Sequence, residues 1–421
     1  MAKIEKITAR EIFDSRGNPT VESTVYLSDG TVAASSVPSG ASRGTYEAHE
    51  LRDGDQARFN GKGVLKAVES VNSVIGPAIV GMEAGEQQKI DKKMIELDGT
   101  QNKSALGGNA ILSISQAVAK VSAKSSLLPL PVYLRQFVSF HMEGNKIPTP
   151  LFNMVEGGKH ADNGLDFQEF LVIPATSFSF SASLQIGIDI YNALKEYLKA
   201  GNFSTNVADE AGFAPNFGSN IDALKNLKSA IETTPYGFSK DVFLGLDVAA
   251  NEIVSSRKYI IKDKSGEIGH DELLTYYKSI VPEYSIIYLE DPFAEDDWDA
   301  WKAIYQELGG STLIVGDDLT STNPYRLQTA LNNNVINAMI IKPNQIGTIT
   351  EALAVCEIAK YKNLKIIVSH RSGETADDFI ADFAVAVGAD YAKFGAPSHE
   401  RIIKYNRLLE IEQELSKLNL I

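Results

Sequence analysis

What most constrains this chain is a series of short apolar runs, each stopping at one ionisable residue. Phe243-Leu244-Gly245-Leu246 stops at Asp247, Ile286-Ile287-Tyr288-Leu289 at Glu290, and Leu313-Ile314-Val315 passes through Gly316 to Asp317. Met339-Ile340-Ile341 stops at Lys342, Ile366-Ile367-Val368 passes through Ser369 to His370, and Tyr391-Ala392 stops at Lys393. Successive polar ends lie 23 residues apart at the shortest (370 to 393) and 43 at the longest (247 to 290), with helical patterns such as Ala352–Ala359 between them. That rhythm predicts repeated strand–helix units whose strands are buried on both faces. An open sheet gathers ligands only near its switch point. A closed barrel brings every strand end into one ring, so a barrel is the expected form.

The earlier part reads differently. Val21, Ser23, Val25 and Leu27 alternate, Asp29-Gly30 makes a turn, and residues 31–37 return. Two helical patterns follow, Val64, Val68, Val71, Ile75 and Ile79, then Ile111, Ile114, Val118 and Val121, the first limited by Pro77. The expected architecture is α/β: a modified TIM-type (β/α)8 barrel over 141–421, preceded by a small α+β unit over 1–140.

Composition narrows the function. A formal net charge of -14 repels nucleic acid and anionic membranes, so neither is an expected partner. The single cysteine, Cys356, allows no internal disulfide and reads as a buried apolar residue. The opening Met1-Ala2-Lys3-Ile4-Glu5 has no apolar signal region, and no apolar run is long enough to span a membrane.

Asp247, Glu290 and Asp317 at three consecutive strand ends offer oxygen ligands alone, which suits magnesium. One such acid is commonly a cap or an ion-pair partner; three together favour a metal. Asp291 and Asp318, their neighbours, are expected to face away in structural roles. Lys342 and Lys393 share the rim. Near metal ions and each other their ammonium forms are disfavoured, so one could serve as a base. In Ser369-His370-Arg371-Ser372-Gly373-Glu374-Thr375, Arg371 and Ser372 could hold phosphate oxygens, while His370 alone could be structural. Gln168-Glu169 and Asp209-Glu210, each expected to follow an earlier barrel strand, add acid–base groups. Ser39-Gly40-Ala41-Ser42-Arg43-Gly44 reads as a flexible loop that could close over a site, or simply as a loop.

From Lys3 to about Glu414 the chain resembles the enolases. The motifs are Asp14-Ser15-Arg16-Gly17-Asn18-Pro19-Thr20-Val21-Glu22, Leu51-Arg52-Asp53-Gly54-Asp55, Leu289-Glu290-Asp291-Pro292-Phe293, Val315-Gly316-Asp317-Asp318-Leu319 and 369–375. The resemblance implies reversible dehydration of 2-phosphoglycerate to phosphoenolpyruvate, a step of glycolysis and gluconeogenesis. It implies two magnesium ions per site, the second arriving with substrate. Asp247, Glu290 and Asp317 would hold the first and Ser42 would help hold the second. Lys342 would be the base and Glu210 the acid, with Glu169 and His370 beside them. His160, Gln168, Arg371, Ser372 and Lys393 would contact substrate. The resemblance further implies a homo-oligomer in the cytoplasm, with the cell surface or export without a signal peptide as a second location. Arg43, Glu156, Lys159, Ala208, Ala211, Phe394 and His399 depart from the family pattern. Arg43 and Glu156 suggest an ionic contact on loop closure, and the set reads either as neutral drift in a working enzyme or as a divergent paralogue with weak activity, another substrate or a surface-binding role.

Overall fold

The computed structural model describes residues 2–41, 44–140 and 146–417. Ser42, Arg43 and the expected boundary between 140 and 141 lie outside the described residues.

The chain opens with a meander of β1 (Ile4–Phe13), β2 (Pro19–Leu27) and β3 (Val32–Ser36), all antiparallel. Val21, Ser23, Val25 and Leu27 are buried, as alternation requires of a sheet covered on one face. Their cover is the helix Gly108–Ser125, whose Ile111, Ile114, Val118 and Val121 are all fully buried. The run through 65–79 stays helical past Pro77 because a widened π turn at Ser70–Ile75 precedes it.

Eight later strands close a barrel: β4 (Thr149–Glu156), β5 (Glu169–Pro174), β6 (Val242–Asp247), then, beyond a small sheet of β7 (Val254–Ser255), β8 (Lys258–Ile260) and β9 (Glu267–Ile268), β10 (Ile286–Glu290), β11 (Leu313–Gly316), β12 (Ala338–Ile341), β13 (Lys365–Ser369) and β14 (Tyr391–Lys393). The ring runs β10-β11-β12-β13-β14-β4-β5-β6. All neighbours are parallel except β4–β5 and β5–β6. The reversed strand β5 alters one expectation. Glu169 opens its strand rather than following it, yet because the strand runs backwards this start reaches the same rim as the ends of β6 and β10.

Below that rim Leu151, Leu171, Ile173, Tyr288, Val315, Ala338, Ile340 and Ile367 fill the barrel as a core separate from the outer one. Outside, helices begin where their caps dictate: Ser179, Ser219 and Thr348 accept backbone N–H groups three residues on. The Thr348 hydroxyl also donates to Glu351 (2.7 Å) at the start of the helix Ile349–Tyr361 that carries buried Cys356. Among the described residues no helix is long and apolar enough to cross a membrane.

Candidate active site

The strand ends surround one polar cleft of about 380 Å³ including its open mouth. Asp247, Asp317, Lys342, His370 and Lys393 line it from the barrel strands, with Arg371 and Ser372 just beyond β13. His160, Gln168 and Glu169 line it from the β4–β5 hairpin. Glu210 lines it from a loop, not from a strand end as expected. Glu290, fully buried, lies just behind.

Lysine meets carboxylate on one side. Lys393 Nζ reaches Glu169 and Asp247 at 2.9 Å and Glu290 at 2.7 Å. Burial opposes its charge, but Asp247, Glu169 and Glu290 hold it firmly as an ammonium. One cation cannot neutralise three acids, and burial together with Asp247 pushes Glu290 up to about 8. Lys342 pairs with Asp317. With Asp317 as its partner Lys342 is held as an ammonium: burial opposes the charge, but Asp317 raises the pKa above its ordinary value. Asp291 accepts the N–H groups of Asp317 (3.0 Å) and Asp318 (2.7 Å) while its own backbone sits at φ +40°. Asp318 does not face away. It lies past the end of β11, where strand alternation no longer applies, and it lines the cleft. Burial and Asp317 push it up to about 7.

These acids fit a hard cation. Glu290 Oε1 is buried without a hydrogen-bond partner, and the oxygen donors are crowded enough to take up protons. Asp291, Asp317 and Asp318 bring ligand atoms within 4.8 Å of one another, as do His160, Glu169 and Glu210. Asp247, Glu290 and Asp317 do not form such a group among the described residues; Lys393 bridges the first two and Lys342 pairs with the third.

The other side is held by imidazoles and backbone. Arg401, fully buried, donates to His370 Nδ1 (3.0 Å) and to the carbonyls of Arg371 (2.7 Å) and Asp209 (2.6 Å). A guanidinium only donates, so His370 Nδ1 accepts and its Nε2–H points at Glu210 Oε2, 2.9 Å away. Burial pushes His370 down to about 4, consistent with that neutral ring. Burial would raise Glu210, but His370, His160 and Arg401 overcome it and keep the group well below the usual carboxylate range. With His370 neutral, its hydrogen bond and the fixed charge of Arg401 are the effective causes.

The Glu210 loop is stitched to β4. Glu156 accepts Gly212 N–H (2.6 Å) and Glu210 N–H (3.2 Å). Gly212 permits this approach, since a Cβ there would lie 2.8 Å from Glu156 Oε1. Ala211 turns the loop at φ +68°, a costly conformation for a residue with a side chain.

The first unit supplies one wall. Ser39 exchanges backbone hydrogen bonds with Gly373 (2.8 and 2.9 Å), and Ala41 N–H donates to Ser372 Oγ (2.8 Å). Glu47 takes Arg371 at 2.9 Å. Residues 39–41 are thus docked on the barrel rather than loose. Glu47 and Arg401 escaped the sequence reading. Glu47 lies a few residues past the glycine–serine loop and Arg401 beyond Gly395-Ala396-Pro397, and neither ends an apolar run. The other departures are accommodated: Lys159 pairs with Glu252 (2.6 Å) and Phe394 is buried against Tyr405. Glu156, bound to the 210–212 loop, is the half of the expected Arg43 contact that can be placed; Arg43 itself is outside the described residues.

A closed α/β barrel with acids, lysines and imidazoles converging on a cleft at its rim defines an α/β-barrel enzyme. The family model "Enolase, N-terminal domain" matches residues 4–134 and "Enolase, C-terminal TIM barrel domain" matches residues 145–420. The chain is 49% identical over 417 residues to the enolase of Kineococcus radiotolerans, covering 99% of this chain and 95% of that protein. This chain belongs to the enolase family and is a carbon–oxygen lyase.

Proposed function

We propose that the protein catalyses the magnesium-dependent, reversible dehydration of 2-phosphoglycerate to phosphoenolpyruvate. The observation that carries this reading is the convergence of Lys342, Glu210 and Arg371 on one cleft. Removing a proton beside a carboxylate requires a base, departure of hydroxide requires an acid, and a phosphate requires a cation.

Asp247, Glu290 and Asp317 would hold the first magnesium, and Ser42 would join the second. Bound magnesium supplies positive charge against the negative charge that builds on the substrate carboxylate. Lys342 takes the proton. With Asp317 engaged by a cation, Arg371 and Lys393 would remain to disfavour the ammonium, leaving Lys342 as a neutral amine free to accept the proton. Glu210 protonates the departing hydroxide, with Glu169 and His370 setting its field. Arg371 exchanges Glu47 for phosphate, alongside Ser372. His160, Gln168 and Lys393 orient the rest of the substrate.

The reading takes residues 1–140 as the unit that walls the cleft and 141–421 as the catalytic barrel. It places a homo-oligomer in the cytoplasm, with the cell surface or secretion as the second site. Light scattering on a sizing column tests the assembly.

The decisive assay follows the ultraviolet absorbance of the enol product from 2-phosphoglycerate and magnesium. Turnover should vanish with EDTA and fall about 10³-fold in Lys342→Ala. A folded wild-type protein without turnover would overturn the reading.

A further inference from the structure

We propose that Glu156 stores the proton that Glu210 delivers, and passes it through His160. The proposal rests on the acid role given to Glu210 above.

His160 stands between the two acids. Its Nδ1 is 3.6 Å from Glu156 Oε2 and its Nε2 is 3.7 Å from Glu210 Oε1. That Nδ1 is buried and has no hydrogen-bond partner among the described residues. A neutral imidazole carries one donor and one acceptor, so it can accept a proton at one nitrogen while releasing one at the other. Each gap must close by roughly half an ångström to reach ordinary hydrogen-bond length.

Glu210 needs such a supply. The hydrogen bond from His370 Nε2–H at Oε2 and the fixed charge of Arg401 favour the carboxylate over the acid, so resting Glu210 lacks the proton an acid must give. Its other oxygen, Oε1, is the one facing His160.

Glu156 can provide it. It is fully buried, and among the described residues its hydrogen-bond donors across the loop are the N–H groups of Glu210 and Gly212. No lysine or arginine stands in ion-pair contact with it among the described residues, and burial beside the Glu210 charge favours its acid form. Glu169 also faces His160 Nδ1, at 3.8 Å, but Lys393 at 2.9 Å anchors its charge.

The step balances. The proton on Glu156 Oε2 moves to His160 Nδ1 as the Nε2 proton moves to Glu210 Oε1. His160 ends in its other tautomer without net charge, Glu156 as carboxylate and Glu210 as acid. The substrate C–O bond then breaks, its electron pair leaves with the oxygen, and Glu210's proton completes a water molecule. Lys342 releases the carbon-derived proton to solvent, and Glu156 regains one from it.

The alternative is that Glu156 only staples the loop. Two readouts on the magnesium-loaded enzyme separate these: turnover, and wash-in of solvent deuterium at C2 of 2-phosphoglycerate, followed by proton NMR. Exchange at C2 needs Lys342 but no proton from Glu210. Glu156→Gln keeps the size and one acceptor but stores no proton. Turnover should fall about 10²-fold while C2 exchange stays within about twofold. Glu156→Asp keeps the acid one methylene further from His160, and should recover part of the turnover. If Glu156→Gln does not fold, Glu156→Asp carries the same test by itself, with turnover lowered and exchange kept. Loss of turnover and exchange together makes Glu156 a staple and overturns the proposal, and so does unchanged turnover. Wild-type protein showing neither turnover nor exchange would instead overturn the dehydration reading on which it rests.

Discussion

Where β6, β10, β11, β12 and β14 meet the cleft, acids are answered by lysines: Lys393 stands among three carboxylates and Lys342 on a fourth. Across the cleft, around Glu210, no lysine intervenes among the described residues; a neutral imidazole, a buried guanidinium and backbone N–H groups fix the acid in place. The first arrangement is a crowd of like charges held by provisional partners, ready to exchange them for metal and substrate. The second is a preorganised mount whose partners have no reason to leave. Catalysis by charge stabilisation needs both, one side that rearranges on loading and one that does not.

The comparison can be broken at either side. The largest effect should come from Lys342→Ala, with turnover down about 10³-fold in a variant that still folds. Lys393→Ala comes next. Stripping the shared cation from three buried carboxylates should destabilise the metal-free protein by about 3–5 kcal/mol. Magnesium should then raise the melting temperature of the variant more than that of the wild type. An equal rise in both would mean that the lysine is no stand-in for metal.

On the imidazole side, pH is the probe. His370 is buried with a pKa pushed down to about 4, so the folded state refuses a proton that the unfolded state binds below about 6.5. Stability is therefore retained above 6.5 and lost as pH falls towards 4, by up to about 3 kcal/mol. His370→Gln can still accept from Arg401 and donate to Glu210, and should flatten that loss in denaturant titrations at pH 7.5 and 5. The smallest effect is expected from Gly212→Ala. Its methyl would crowd Asn153 O and Glu156 Oε1, each at 2.8 Å, costing about 1–3 kcal/mol of stability and, because it disturbs only the loop staple, lowering turnover and C2 exchange together.

The two sides also differ in how far the sequence discloses them. Asp247, Glu290, Asp317, Lys342 and Lys393 each end an apolar run, and a charge recurring at the end of one buried strand after another stands out in the sequence. Strand direction is another matter. An apolar run reads the same in either direction, so nothing in Phe170-Leu171-Val172-Ile173 reveals that β5 is reversed, or that Glu169 reaches the rim from the strand's beginning. Glu210 and Arg401 sit in irregular segments whose positions come from contacts with residues far along the chain, such as Glu156 54 residues before Glu210 and His370 31 before Arg401. Local pattern carries no trace of such contacts. Glu156 was visible only as an acid in an unexpected place.

The reversed strand has a further consequence, for the order of assembly. β4 and β5 form a hairpin and β6 joins it antiparallel, so these three pair as neighbours in sequence. The last seam of the ring joins β14 back to β4, where Lys393 lies beside Leu151. Loop-closure entropy should make the hairpin pair early and that seam late, an order that pulsed hydrogen exchange on β4–β5 and β14 amides would reveal. Lys393 would then reach its three carboxylates only when the ring closes, so a barrel that has not finished folding has no assembled site.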